Sequence, residues 1–281
     1  MSRIEKALEK ASQLRQREPA RPVSSSVKQP EVAAGGTKDL FPVLGKSLPI
    51  NNPLLVVSTD PTSHISEEYQ KLKAVLMSLS RKEEFDNVLM ITSAIPGEGK
   101  SLTSINLALS LAKEIDSTVL LIDADLRKPS VSSYLGIAAT LGLTDILEGR
   151  AGIEETLINT GVGRLVVLPA GKIASNPVEL FSSNRMVQLI QEIKHRYPDR
   201  FIIFDTPPIL PFAETRTLAQ LVDGVVIVIK ERLASTDNVS EAVSLLNGAR
   251  ILGAVFNEVK VTAGNDGYGH YYSGYRYNPS P

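Results

Sequence analysis

Along most of this chain, short runs of apolar and β-branched residues alternate with stretches in which apolar positions recur every three or four residues. Residues 54–58, 88–92, 118–122, 165–168, 201–204, 224–229 and 251–257 each read as a strand. Helical spacing marks 65–81, where Tyr69, Leu72, Leu76 and Leu79 share a face, and also 100–115, 185–197 and about 236–246. The strands are apolar without alternation, and a strand buried on both faces has that pattern. Such strands separated by helices predict an α/β fold with a mostly parallel, doubly wound sheet.

The pattern breaks at both ends. Residues 1–18 read as an amphipathic helix, with Ile4, Ala7, Leu8, Ala11 and Leu14 on one face and Ser2 and Glu5 spaced as a capping box. Residues 19–51 are rich in Pro, Ser, Gly and Ala and read as a flexible linker. The folded domain is expected over 52–261. Residues 262–281 read as a disordered, Gly-, Asn- and Ser-rich tail. It carries five tyrosines (Tyr268, Tyr271, Tyr272, Tyr275 and Tyr277) out of eight in the sequence.

Composition narrows the chemistry. The 281 residues are 43% hydrophobic and carry a formal net charge of −1, so a general nucleic-acid binder is not expected. Without cysteine there is no disulfide framework and no thiolate chemistry. His64, His195 and His270 are scattered and show no metal-ligand spacing. No apolar stretch reaches the roughly 18–20 residues that span a bilayer. The expectation is a cytoplasmic protein, with any membrane link made through a partner.

Three segments carry candidate chemistry. Residues 94–101 read Ala-Ile-Pro-Gly-Glu-Gly-Lys-Ser and stand between a strand and a helix. Glycines there let backbone N–H groups turn onto a phosphate, and the helix adds the positive end of its dipole. Pro96, Gly97, Glu98, Gly99, Lys100, Ser101 and Leu102 are the expected nucleotide-binding residues. Lys100 would meet the β- and γ-phosphates, and the Ser101 hydroxyl would meet Mg²⁺. The strict pattern has Gly where Ala94 stands. Residues 120–127 place Asp123 and Asp125 two apart, just beyond an apolar strand. The spacing puts both carboxylates on one side, where one can serve as general base and the other can support Mg²⁺. Residues 201–208 end a strand at Asp205, the Walker B arrangement, and Pro207 and Pro208 cannot continue the ladder. Together the three predict a P-loop NTPase that uses ATP and Mg²⁺.

These motifs, with the terminal tyrosines, resemble the bacterial tyrosine kinases of the P-loop type. Gly142–Gly149 and 168–180 are also similar to that family. The N-terminal helix and linker resemble its autokinases linked to exosortase-type exopolysaccharide clusters. The resemblance covers about Pro53 onward. It implies that Asp123 is the base for the attacking tyrosine and that Asp125 and Asp205 complete the metal site with Ser101. It further implies autophosphorylation of the tail tyrosines by a neighbour within a homo-oligomeric ring. The implied partners are a membrane-embedded polysaccharide co-polymerase or chain-length determinant as activator, and a phosphotyrosine phosphatase. The location would be peripheral, at the inner face of the membrane. The family's subunit contact has an acid and two arginines at spacing three; Glu67, Gln70 and Lys73 stand there, and Lys lacks the planar fork of Arg. The alternative is a positioning ATPase of the MinD/ParA kind. Those proteins carry a Lys where this chain has Ile95, and that difference together with the tail favours the kinase.

Overall fold

The computed structural model describes residues 49–81, 87–114, 118–196 and 200–259. The expected N-terminal helix, most of the expected linker and the tyrosine-rich tail lie outside the described residues. The first elements are α1 (Val56–Thr59), α2 (His64–Arg81), β1 (Val88–Ser93), α3 (Lys100–Leu111) and β2 (Thr118–Asp123). Next come α4 (Val131–Leu135), α5 (Leu143–Glu148), α6 (Ile153–Thr156), β3 (Ile158–Asn159) and β4 (Leu165–Leu168). The remainder is α7 (Pro177–Phe181), α8 (Asn184–Arg196), β5 (Arg200–Asp205), α9 (Ala213–Ala219), β6 (Gly224–Lys230), α10 (Thr236–Leu245) and β7 (Ile251–Asn257).

The strands form one sheet in the order β3-β4-β2-β5-β1-β6-β7. Every pairing is parallel except β3 with β4. Successive side chains on a strand face opposite sides, and the core divides accordingly. Val88, Met90, Leu120, Ile122, Ile202, Phe204, Val225 and Ile227 pack on one face with Met186, Ile190 and Ile193 of α8 and Leu218 of α9. Leu89, Ile91, Val119, Leu121, Ile203, Val226 and Val228 pack on the other face with Ile105, Ala108 and Leu109 of α3 and Leu76 of α2. This two-sided burial is why the strands are apolar throughout. β7 closes one edge and is the exception: Phe256 is 68% exposed.

One expected strand is absent. Residues 54–58 fold into a turn running into α1 instead of pairing in the sheet. Their polar groups are satisfied off the sheet. The buried Asn106 of α3 accepts from Val57 N–H at 3.2 Å and donates to Leu54 O at 3.0 Å, and Ser58 N–H donates to Leu55 O at 2.9 Å. Leu55 and Val57 are fully buried against α3, so an apolar run of strand length serves as a plug. Periodicity over so few residues does not separate the two cases. The short elements α4–α7, α9 and β3 are missing from the expectation for the same reason. The sequence-predicted helices over 65–81, 185–197 and 236–246 appear as α2, α8 and α10 within a residue at each end. The helix begun at Lys100 ends at Leu111, short of the expected 115.

Asn106 offers a test of this docking. Asn106→Ala leaves the buried Val57 N–H without its partner, at about 1–3 kcal/mol, while Leu54, which is exposed, can turn its carbonyl to water. We expect a urea midpoint lowered by an equivalent of about 1–3 kcal/mol with an unchanged m-value. A midpoint within error of the wild type would show that the plug does not depend on this side chain.

Candidate active site

The loop between β1 and α3 is shaped by its two glycines. Gly97 and Gly99 both sit at φ +88°, in the left-handed region that only glycine occupies without strain. Space matters as well at Gly99, where an added Cβ would overlap the Asn257 amide. Glu98 is fully buried beneath the loop. Its carboxylate accepts from Ile95 N–H at 2.9 Å and Lys230 N–H at 3.3 Å, and its carbonyl accepts from Asn257 Nδ2 at 2.9 Å. The loop is therefore tied to the ends of β6 and β7. Pro96 and Gly97 are exposed at its tip, Lys100 and Leu102 are partly buried, and Ser101 is buried at the start of α3. The position expected to bind nucleotide at Glu98 has its side chain turned away from the loop mouth and committed to these amides.

Lys100 lies among three acids. Its Nζ is 2.9 Å from Asp125 Oδ2 and 3.5 Å from Ser101 Oγ. Burial pulls its pKa down, but the charges of Asp205 and Asp125 outweigh burial and leave it above the usual lysine value. Asp123 and Asp205 are register partners across β2 and β5, so their carboxylates share one edge of the sheet. Asp123 accepts from Ser130 N–H and Val131 N–H, both at 3.0 Å, and from Asp125 N–H at 3.3 Å. Burial first, and then the charge of Asp205, push its pKa up to about 7 against the pull of those amides. Burial likewise raises Asp205, while Lys100 opposes the shift. Asp205 Oδ1 accepts from Ser104 Oγ at 3.2 Å, whereas its Oδ2 is buried without a hydrogen-bond partner.

That orphaned oxygen bears on a metal. Among the described residues, no group of three or more His, Cys, Asp or Glu has metal-holding geometry. A divalent ion in a P-loop site does not require such a cage, since it keeps several waters and binds phosphate oxygens with one or two protein groups. Asp205 Oδ2, with the Ser101 hydroxyl nearby, fits that limited donor set. A separate cavity of about 580 Å³, lined by Ile146, Ile153, Glu154, Arg185, Leu189 and Glu192 among others, contains none of the predicted site residues.

Some residues that shape the site are not marked in the sequence. Asn257 is recognisable only as a polar residue ending a strand, and Ser104 as a hydroxyl one helical turn after Lys100. Glu214 is buried and takes Arg127 Nε at 2.5 Å, tying the loop after β2 to the segment after β5. Lys73 is paired with Glu114 of its own chain. The five tail tyrosines lie outside the described residues. Among those residues, no helix is long and apolar enough to cross a membrane.

A glycine loop after β1, a lysine at the head of α3 and acids ending β2 and β5 define a P-loop nucleotide-binding protein of the doubly wound class. A family model described as an AAA domain matches residues 64–250. The chain is 37% identical over 219 residues to the tyrosine-protein kinase YwqD of Bacillus subtilis, covering 77% of this chain and 90% of that one. The kinase domain of Escherichia coli tyrosine kinase ETK superposes with a TM-score of 0.70 at 29% identity, covering 75% of this chain and 82% of that one. The chimerical protein CapA2B2 superposes at 0.69 with 30% identity, covering 78% and 94%. The chain belongs to the bacterial tyrosine kinase family.

The raised pKa values carry a signed consequence. A carboxyl whose folded pKa lies above its unfolded value stabilises the fold in its protonated form. For Asp123, that contribution is complete below about pH 4 and is lost as pH rises through about 7. Thermal unfolding of the nucleotide-free protein in chelator is the measurement. We expect Asp123→Asn to raise the melting temperature at pH 8 relative to wild type and to reduce that gain at pH 5. An equal effect at both values would contradict the assignment.

Proposed function

We propose that the site transfers the γ-phosphoryl group of ATP to tyrosine hydroxyls, those of Tyr268, Tyr271, Tyr272, Tyr275 and Tyr277 above all, and that the acceptor belongs to a neighbouring subunit. The observation that carries this reading is the pairing of Asp123 with Asp205 at adjacent strand ends, beside Lys100. A phenol with a pKa near 10 needs a base to become a nucleophile. A carboxylate with a pKa of about 7 is far better matched to that task than an ordinary aspartate. In the step, the phenolic oxygen forms a bond to the γ-phosphorus and its proton passes to Asp123. The bond from that phosphorus to the bridging oxygen breaks, and ADP leaves with that electron pair.

The other side chains have distinct parts. Lys100 exchanges Asp125 for the β- and γ-phosphates when nucleotide is bound, and so compensates their charge. Backbone N–H groups of Gly97, Gly99 and the first turn of α3 cradle the phosphates. Ser101 and Asp205, with Asp125 in support, would hold Mg²⁺, which would supply neutralising charge to the phosphates. Ile95 stands where the positioning ATPases carry a lysine, and it packs against the core. The resemblance to the family supports a ring of subunits, a membrane-embedded polysaccharide co-polymerase as activator, a phosphatase that reverses the modification, and control of exopolysaccharide synthesis at the inner face of the membrane. The pairing of Lys73 with Glu114 leaves that lysine committed within its own subunit, so the ring contact rests on other groups of α2.

Labelled ATP and Mg²⁺ given to the purified chain provide the test. We expect label on tyrosine, reduced about 100-fold or more by Lys100→Met, the scale on which a single transition-state contact acts. A full-length Lys100→Met chain mixed with an active chain truncated before Tyr268 should acquire label on its tail. No label on any tyrosine, even with the activator's cytoplasmic segment present, overturns the kinase reading. An unlabelled tail in the mixture overturns only transfer between subunits.

A further inference from the structure

Asp125 stands in a turn, and its two carboxylate oxygens have different tasks. Oδ1 accepts from Lys128 N–H at 3.0 Å and closes the turn over residues 125–128, while Oδ2 meets Lys100 Nζ at 2.9 Å. Once Lys100 goes over to the phosphates of a nucleotide, the carboxylate keeps only the bond inside its own turn. Its place relative to Asp123 and Asp205 then depends on what holds that turn. Both central residues are held. Leu126 O accepts from Ala174 N–H at 3.2 Å. Arg127 donates through Nε to Glu214 Oε1 at 2.5 Å and through Nη2 to Glu214 Oε2 at 3.5 Å, and its guanidinium lies 4.8 Å from the centroid of the Phe212 ring. A two-pronged bond to a carboxylate with an aromatic ring against the guanidinium fixes direction as well as distance.

The far end of this contact is anchored. Glu214 is buried in the first turn of α9. Behind it, the segment that leaves Asp205 is fastened to β1. Thr206 N–H donates to Ile91 O at 3.1 Å, and Ile209 N–H donates to Ser93 O at 2.8 Å. The hydroxyls of Thr92 and Thr215 both donate to Pro207 O, at 2.9 and 3.1 Å. Glu214 is therefore the fixed point, and Arg127 carries its position across to the turn of Asp125. A buried ion pair is weak ground for fold stability, since apolar side chains of similar volume often serve as well. What they do not reproduce is the direction that the pair imposes on the turn.

We propose that Glu214 is a positioning residue of the phosphoryl-transfer site: through Arg127 it holds the Asp125 carboxylate where that group can support a divalent ion after Lys100 has turned to the phosphates. The proposal rests on the reading of the site as one that takes a nucleotide with its metal. Glu214 is buried and acts only through Arg127. Its removal therefore leaves the phosphate-binding loop and the bonds of Glu98 beneath it in place, and loosens the one acid that supports the ion from within a turn.

Nucleotide binding tests this without requiring turnover. A fluorescent ADP analogue is titrated with the full chain, in chelator and over a series of Mg²⁺ concentrations. For Glu214→Leu we expect affinity in chelator to stay within about twofold of wild type, and the Mg²⁺ concentration that gives half of the metal-dependent tightening to rise about tenfold or more, the scale on which groups behind a metal ligand act. Glu214→Gln keeps the volume and one acceptor and is read in the same way, so the comparison survives if the apolar variant does not fold. Arg127→Gln should shift the Mg²⁺ requirement in the same direction, and the Arg127→Gln/Glu214→Leu double variant should be no worse than the poorer single, because the two side chains act as one unit. An unchanged Mg²⁺ requirement overturns the proposal, as does a wild type whose ADP affinity does not respond to Mg²⁺. So does affinity lost by the same factor with and without metal, which marks general damage to the site, and so do single effects that multiply in the double variant. Transfer of label from ATP to a peptide spanning 262–281 is followed in parallel. A shifted Mg²⁺ requirement, with no label on tyrosine from the wild type, leaves Glu214 in its role and overturns the kinase reading alone.

Discussion

The site depends on the burial of three carboxylates around a single ammonium. Asp123 and Asp205 are fully buried and Asp125 nearly so, and Lys100 is the cation bonded among them. Unbalanced like charges in a low-dielectric site are unfavourable, and the raised pKa values of Asp123 and Asp205 express that cost. Parallel pairing of β2 with β5 imposes the arrangement, because it sets Asp123 opposite Asp205 in register. The arrangement fits a bound metal and a triphosphate, since a cation would relieve the orphaned oxygen of Asp205 and phosphates would offer Lys100 a partner other than Asp125.

The loop is held from below. Glycine freedom at Gly97 and Gly99 permits the turn, but freedom alone does not fix a loop. Glu98 and Asn257 fix it: the Glu98 carboxylate accepts from the Ile95 and Lys230 amides, and the Asn257 side chain at the end of β7 donates to the Glu98 carbonyl. The last described strand thus ends against the phosphate-binding loop, and the chain that leaves it leads to the tyrosines. A carboxylate inside an anion-binding loop looks misplaced in the sequence. In the structure, its carboxylate is taken up by the N–H groups of Ile95, within the loop, and of Lys230, at the end of β6.

Much of this was legible in residue patterns. Long helices and continuously apolar strands carry strong periodic signals, so α2, α8, α10 and six strands of the parallel sheet could be placed from spacing alone. Residues 54–58 could not, since five apolar-rich residues fit a strand or a buried plug equally, and Asn106, 49 residues from Val57, decides between them. β3 pairs through two residues, too few for any period to show.

The sequence by itself determined the α/β class, the phosphate-binding loop and the three acids, because each is a local pattern: a run of apolar residues, a spacing, a glycine followed by lysine. Tertiary structure alone decided which acids are paired and what protonation they favour. Register across strands far apart in sequence places Asp123 beside Asp205, and burial sets their pKa values. It also decided that Glu98 faces inward, onto the Ile95 and Lys230 amides. Those are consequences of chain crossings, which no local spacing encodes.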